Sequence, residues 1–528
     1  MKKFIKKIKS NKFLYILSVL IVGVFLTLIF RITYAFLAPI INEAQSNIAI
    51  KGDTVDEFKL KVGNPLKLDA TPTTLKENGT NYVTSTTATA SLKANSTKNT
   101  ATYNYYLYFQ IENNTFTYTD GSTPEIILTV SNPNGEEITS IDGLTYGTFN
   151  GVSGFDITTQ SGLFNIANNY QITSNSSTTF TNQVWNITLT YLNLSVDQSG
   201  NFGKTMGVNV YLQKDKMLQS ITDVCTNGDN LATCISTLGT QGKSDITKIY
   251  YHDSSLTNGA GDNSYRYAGA NPNNFVCFGS TLSPCPTDNL YRIIGVFGDQ
   301  VKLIKYDYAN SNLLGNDGDY QGTGTPDSSY YKGSLTTVNK YFWNYKATNS
   351  ATNTWSTSLL NKTNLNTNFI TNIGTEWAQK IAMTTWKVGG NTWAHIVTQP
   401  AKTAYQNEIV SPVTTNTTDG KTEYSAKIGL MYVSDYGFAA AQSAWTANLN
   451  TYNGEAIKNV NWMYMGFYDW TISRCADDSS NAFSVYSTGR VSFSDVFNSR
   501  GCRPSFSLLS STTYVSGSGS ASDPMVIN

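Results

Sequence analysis

Residues 13–30 carry no charged side chain, consist mostly of Leu, Ile, Val and Phe, and stop at Arg31. As a helix this run is about 27 Å long, close to the hydrocarbon thickness of a bilayer. Lys2, Lys3, Lys6, Lys7, Lys9 and Lys12 precede it. Positive charge is retained on the cytoplasmic side, so everything beyond the run is expected outside. The sequence therefore predicts a cytoplasmic basic head over 1–12 and a transmembrane signal-anchor over 13–38. The protein is expected in the cell membrane, single-pass, with an extracellular C-terminal bulk. A cleaved signal peptide is the alternative, but its apolar region would exceed the usual ~7–15 residues. The small-residue cleavage positions are also poor: Ala35 follows Tyr34 and Ala38 precedes Pro39.

The rest of the 528-residue chain must fold away from lipid. Charged residues make up 14%, and Lys+Arg equals Asp+Glu at 37 each. No basic footprint for nucleic acid follows from that balance. Polarity comes instead from Asn, Thr, Ser, Gly and Tyr, the residues of extracellular β-proteins, whose strands favour Thr and Tyr and whose turns favour Asn and Gly. Residues 103–111 (YNYYLYFQI), 125–130 (EIILTV), 184–194 (VWNITLTYLNL) and 206–213 (MGVNVYLQ) read as strands separated by turn signals. They predict an antiparallel β-sandwich over 45–215. A connector over 216–249 and an α+β C-terminal domain over 250–528 follow. Eight of the nine tryptophans lie at or after Trp343, which marks the change of character. The fold class expected is mainly β.

Cys225, Cys234, Cys277, Cys285, Cys475 and Cys502 are even in number and lie on the exported side. That reads as a disulfide framework, and clustering along the chain favours 225–234, 277–285 and 475–502. Free buried thiols are the competing reading. A zinc site is disfavoured, since there is no Cys-x-x-Cys and His252 and His395 are the only imidazoles.

Two hairpins follow from parity. In 291–306 a two-residue Gly298-Asp299 turn would pair Val296 with Val301 and Ile294 with Leu303. In 482–496 a two-residue turn would mix apolar and polar faces. A three-residue loop, Ser487-Thr488-Gly489, instead sets Val485 opposite Val491 and Phe483 opposite Phe493, with Gly489 left-handed. Ser484, Tyr486, Arg490, Ser492 and Ser494 then share the other face, expected to be open to a ligand.

Trp470-Thr-Ile-Ser-Arg474, the Gly489 hairpin and Gly501-Cys-Arg503-Pro504-Ser-Phe506 resemble the closing segment of bacterial C-type-lectin-like domains. These include domains related in fold to the formylglycine-generating enzyme, where W-x-x-x-R, a G-x-V hairpin and a G-x-R-P-x-x-x-L ending recur. The tail from Gly517 to Ile527 looks like that of Firmicutes surface proteins carrying such domains. The resemblance is strongest over 429–528 and weaker back to Tyr250. It implies structural roles for Trp470, Gly489, Arg503 and Pro504. It also implies a ligand face drawn from the polar positions between Arg474 and Arg500: Asp477, Asp478, Asn481, Ser484, Tyr486, Arg490, Ser492, Ser494 and Asn498. This stretch resembles the variable region of retroelement-diversified proteins too. Over 45–215, the order of anchor, alternating strands and a late W-x-I-T-L-x-Y strand is loosely similar to camelysin/TasA-type surface proteins.

Catalytic chemistry finds little support. Neither His252 nor His395 sits in a recognisable nucleophile setting, and no His-Glu-x-x-His exists. Asn316, Asp317 and Asp319 faintly echo a calcium loop, yet Gln321 and the missing bidentate Glu favour a plain turn. Trp462 and Trp470 read as core. No cofactor, metal or catalytic residue is expected. The partners expected are the membrane and an extracellular glycan or surface protein, with no nucleic acid. The function expected is surface binding or adhesion, with a structural role in surface or biofilm matrix, assembled through the sandwich, as the alternative.

Overall fold

The computed structural model describes residues 55–75, 79–112, 114–345, 352–414 and 421–528. The anchor expected over 13–38 lies outside the described residues. Among those described, no helix is long and apolar enough to cross a membrane. The chain divides into two compact units at Lys216 and Met217, and antiparallel sheets dominate both.

The first unit contains β1 (Glu57–Val62), β2 (Leu66–Asp69), β3 (Tyr82–Lys93), β4 (Ala101–Glu112), β5 (Ile126–Ser131), β6 (Thr145–Phe149), β7 (Val152–Asp156), β8 (Gly162–Ser174), β9 (Thr181–Tyr191) and β10 (Thr205–Gln213). Six of them form one sheet in the order β1-β3-β9-β5-β7-β6, and four form another, β2-β10-β4-β8. Alternation decides what faces the shared core. Trp185, Ile187 and Leu189 of β9, Tyr105, Leu107 and Phe109 of β4, and Val208 and Val210 of β10 all belong to it. The four segments expected as strands are β4, β5, β9 and β10. Sequence patterning missed β3, because its buried positions include Ala88 and Ala90 rather than large apolar residues. Ala88 stands directly opposite Trp185, where a small side chain leaves room for the indole.

In the second unit the main sheet runs Ile249–Tyr251, Tyr265–Tyr267, Leu290–Phe297, Gln300–Lys305, Ser505–Ser507, with Phe275–Cys277 also on Leu290–Phe297. The stretch read as a connector packs within this unit. Its helix Leu231–Gln241 starts where the Asn230 side chain accepts from Thr233 N at 3.0 Å. Leu231, Ile235 and Leu238 then enter the core beside Ile249 and Val301. Backbone bonds from Leu231 N to Thr512 O and from Gly228 N to Tyr514 O join the two ends of the unit.

The hairpin over 291–306 has the expected turn and the expected Val296–Val301 pair, but Leu303 faces Ile293 rather than Ile294. A bulge lies between Ile293 and Gly295. Gly295 pairs with Arg266 on the neighbouring strand, and any Cβ there would come within 2.2 Å of Tyr265 O. That close approach fixes a third strand against the hairpin, and Ile294 is displaced from the ladder by it.

Cys225–Cys234 and Cys277–Cys285 are disulfides, with Cα separations of 5.7 and 5.8 Å. The expected Cys475–Cys502 bridge is not formed, and both are buried free thiols. A parallel bridge sets Gly501 beside Asp469, so Cys502 lies level with the start of strand Asp469–Arg474 and Cys475 beyond its end. Five residues of extended chain separate them by roughly 16 Å, well past the reach of a disulfide.

Glu408 is fully buried, accepting from Ser434 N at 2.6 Å and from the Ser473 hydroxyl. Burial pushes its carboxyl up to about 7, against an ordinary 4.5. A folded-state pKa above the unfolded one means stability that is full below about 4.5 and is lost as pH rises through about 7. That difference corresponds to about 3 kcal/mol for a group so deeply buried. Denaturant unfolding of the second unit should therefore weaken by about that much from pH 5 to pH 8. Glu408→Gln is expected to make this dependence shallower by that amount, leaving the share that belongs to Asp469. An unchanged slope in the variant would assign it to other groups.

Candidate functional site

Strands Asn481–Val485 and Val491–Asp495 form the hairpin that carries most of the expected ligand face. The register is the one parity requires, with Val485 opposite Val491 and Phe483 opposite Phe493. Tyr486 N donates to Arg490 O and Gly489 N to Tyr486 O, at 2.9 and 2.8 Å, closing the three-residue loop. Gly489 has φ 97°, a conformation that side chains disfavour. Two buried phenols grip the tip from below: Tyr436 Oη donates to Gly489 O and Tyr464 Oη to Ser487 O, both at 2.6 Å. The loop is thus held rigid by groups far away in sequence.

Exposure departs from expectation on both faces. Asn481, Ser484 and Ser494, expected on the ligand face, are buried. The third strand, Asp469–Arg474, lies alongside and pairs Trp470 with Ser484. Ser484 and Ser494 hydrogen-bond each other at 3.1 Å, and Arg500 Nη2 donates to Ser494 Oγ at 3.1 Å. They consolidate the hairpin from inside. Conversely Phe493, expected in the core, is 42% exposed, and Phe497 is 43% exposed.

What remains at the surface is aromatic and cationic. Arg490, exposed, stacks over Tyr486 with its guanidinium carbon 4.9 Å from the ring centroid. Arg500 lies 4.0 Å over Tyr468 and 5.7 Å from Tyr486. Tyr468 and Tyr486 meet edge to face at 5.0 Å. The Tyr486 hydroxyl donates to Phe493 O at 2.9 Å, fixing its ring. Ser492 and Asn498 are half-buried at the margin, and Asn498 Nδ2 donates to Asp495 Oδ2 at 3.3 Å. Two arginines thus alternate with two tyrosines. Residue types of this kind concentrate binding energy at interfaces, because they give large, stiff contact area and charged donors together.

The acidic pair is turned inward to its own loop. Asp478 accepts from Ser480 N, Ser480 Oγ and Asn481 Nδ2 at 2.7–2.9 Å. Those bonds, from Ser480 first, hold its carboxyl below the ordinary range. Asp477 is exposed and accepts from the Cys475 thiol at 2.7 Å. Burial and that carboxylate push Cys475 up to about 12, so the thiol stays protonated and is a poor nucleophile at neutral pH. Asn353 ties the loop down, its Nδ2 donating to the carbonyls of Cys475, Asp478 and Asn481. Nothing in the sequence near the loop marks this distant residue.

The other candidates resolve into structural roles. His252 is buried, accepts from Ala260 N through Nδ1 at 3.0 Å, and packs on Phe438 and Trp445. Burial holds it well below its ordinary pKa, as a neutral imidazole. His395 Nδ1 lies 3.2 Å from Asn391 Oδ1. Asp319 of the calcium-like segment accepts backbone N–H groups from Tyr345 and Leu360. Trp462 and Trp470 are buried, their indole N–H groups bonded to Tyr267 O and Tyr341 O at 2.8 and 2.9 Å. Cys225, Cys234 and Asp229 converge, but both sulfurs are committed to a disulfide. A scan against protein-family models finds no match for the chain, and a search of curated proteins finds none either.

Proposed function

We propose that this is a membrane-anchored surface binding protein whose second unit is a C-type-lectin-like recognition head. The recognition surface is the Tyr468–Tyr486–Arg490–Arg500 array. One observation carries the reading: a half-buried arginine–aromatic array, with Arg490 exposed, on a hairpin whose loop is clamped by Tyr436 and Tyr464. Rigid aromatic anchors lose little entropy on binding, and arginine adds directional donors. This composition favours a surface protein over a glycan as partner. The apolar run at 13–30 and its lysines support the anchor, and the two disulfides fit an oxidising compartment.

The test is a binding screen of the full chain on surface-protein and glycan arrays. The double variant Tyr486→Ala, Arg490→Ala is expected to weaken a specific hit by about 2–3 kcal/mol, on the order of a hundredfold. The variant should stay folded, as circular dichroism would show. Undiminished binding by the folded variant would move the site elsewhere. No binding at all, with concentration-dependent assembly instead, would favour the structural matrix role.

A further inference from the structure

A pocket of about 250 Å³ opens in the second unit, away from the hairpin residues. Its lining comes from six separate stretches of chain. Arg266 and Lys302, both on the main sheet, form the floor with Asp262 and Asp435. Phe297, Tyr405 and Tyr432, all half-buried, stand around them. Lys302 Nζ lies 2.5 Å from Asp435 Oδ2, and Arg266 Nη2 lies 2.6 Å from Asp262 Oδ2. Arg266 Nη1 reaches Asp435 Oδ1 at 3.5 Å. Rings cover the cations: Lys302 Nζ is 4.5 Å from the Tyr432 centroid, and the Arg266 guanidinium carbon is 4.6 Å from Phe297 and 5.3 Å from Tyr405.

We propose that this pocket binds one neutral saccharide ring without a metal ion. The floor sets two cations against two carboxylates, and Lys387, also in the lining, is paired with Glu423, so no unpaired charge is left to attract an ion. An apolar ligand would cover what remains open of these polar groups and gain no hydrogen bond from them. A sugar hydroxyl donates and accepts at once, so it can bond a carboxylate on one side and an ammonium or guanidinium on the other. Lys302 uses one of its three N–H donors, on Asp435. The Thr384 hydroxyl, also in the lining, is buried with no hydrogen-bond partner. The half-buried rings offer the apolar surface on which the C–H face of a sugar packs. The volume is below the ~300–1,000 Å³ of drug-sized sites and suits a single six-membered ring.

The pocket shares no residue with the hairpin surface, so the two proposals succeed or fail separately. The full chain is titrated in EDTA with glucose, galactose, mannose and N-acetylglucosamine, and with glucuronic acid as the charged control, by calorimetry and saturation-transfer NMR. At least one neutral sugar is expected to bind saturably. Tyr405→Ala and Thr384→Val should each weaken it about tenfold, while Tyr486→Ala leaves it unchanged. Thr384→Val, nearly isosteric, decides the matter if Tyr405→Ala unfolds. The proposal is overturned if no neutral sugar binds, if glucuronic acid alone binds, if EDTA abolishes binding, or if folded pocket variants bind as the parent does.

Discussion

Arg503→Met should destabilise the second unit by about 3–5 kcal/mol, enough to remove a large part of an ordinary domain's stability. Arg503 and Asp469 are both buried, and Arg503 Nε donates to Asp469 Oδ2 at 2.6 Å. The same guanidinium donates through Nη2 to Met463 O at 2.8 Å. Met keeps much of the volume but strands a carboxylate in the interior, and that uncompensated group is the source of the cost. Burial already pushes Asp469 up to about 6, and losing the cation raises it further. A raised folded-state pKa means stability lost with rising pH, so the defect should deepen from pH 5 to pH 8 by about 1 kcal/mol or more. Asp469→Asn in the Arg503→Met background should recover part of the loss. The measurement is a double-mutant cycle by urea unfolding at both pH values. Equal stability of Arg503→Met and the parent would show the pair to be dispensable.

Local features were legible because their causes are local. Parity alone placed Val485 against Val491 and put Gly489 in the left-handed position. Cysteines 9 and 8 residues apart found each other. Where an outcome depends on a distant strand, patterning loses its power. Cys475 and Cys502 are set apart by the pairing of Gly501 with Asp469, which no spacing rule contains. Ser484 and Ser494 alternate as surface residues should, yet Trp470, on a neighbouring strand, pairs beside Ser484, and Arg500 bonds Ser494. The same holds for the candidate sites. Tyr486 and Arg490 could be named from one hairpin, but Tyr468 and Arg500 join them only after the chain has folded. The pocket around Lys302 and Asp435 joins residues 133 positions apart and had no sequence signature.

Trp185→Ala is expected to cost the first unit about 3–5 kcal/mol, the range for emptying a buried indole site. Trp185 is 1% exposed in the core between the two sheets. Its ring meets Tyr170 edge to face at 4.9 Å, and its Nε1 donates to Tyr105 Oη at 2.9 Å. Tyr105 Oη in turn donates to Gln183 Oε1 at 2.8 Å. The indole therefore links β9 to β4, one strand in each sheet. Opposite it stands Ala88, too small to collapse into the space, so the cavity should persist rather than close. Trp185→Phe restores most of the apolar contact but not the N–H donor, and its cost should be nearer 1–2 kcal/mol. Because the other eight tryptophans all lie in the second unit, their fluorescence reports that unit alone in either variant. Circular dichroism in the β region follows both units, so a transition moved in dichroism but not in fluorescence would locate the damage in the sandwich. A coincident shift in both signals would mean that the two units unfold as one cooperative body, and the cost would then be shared by both units.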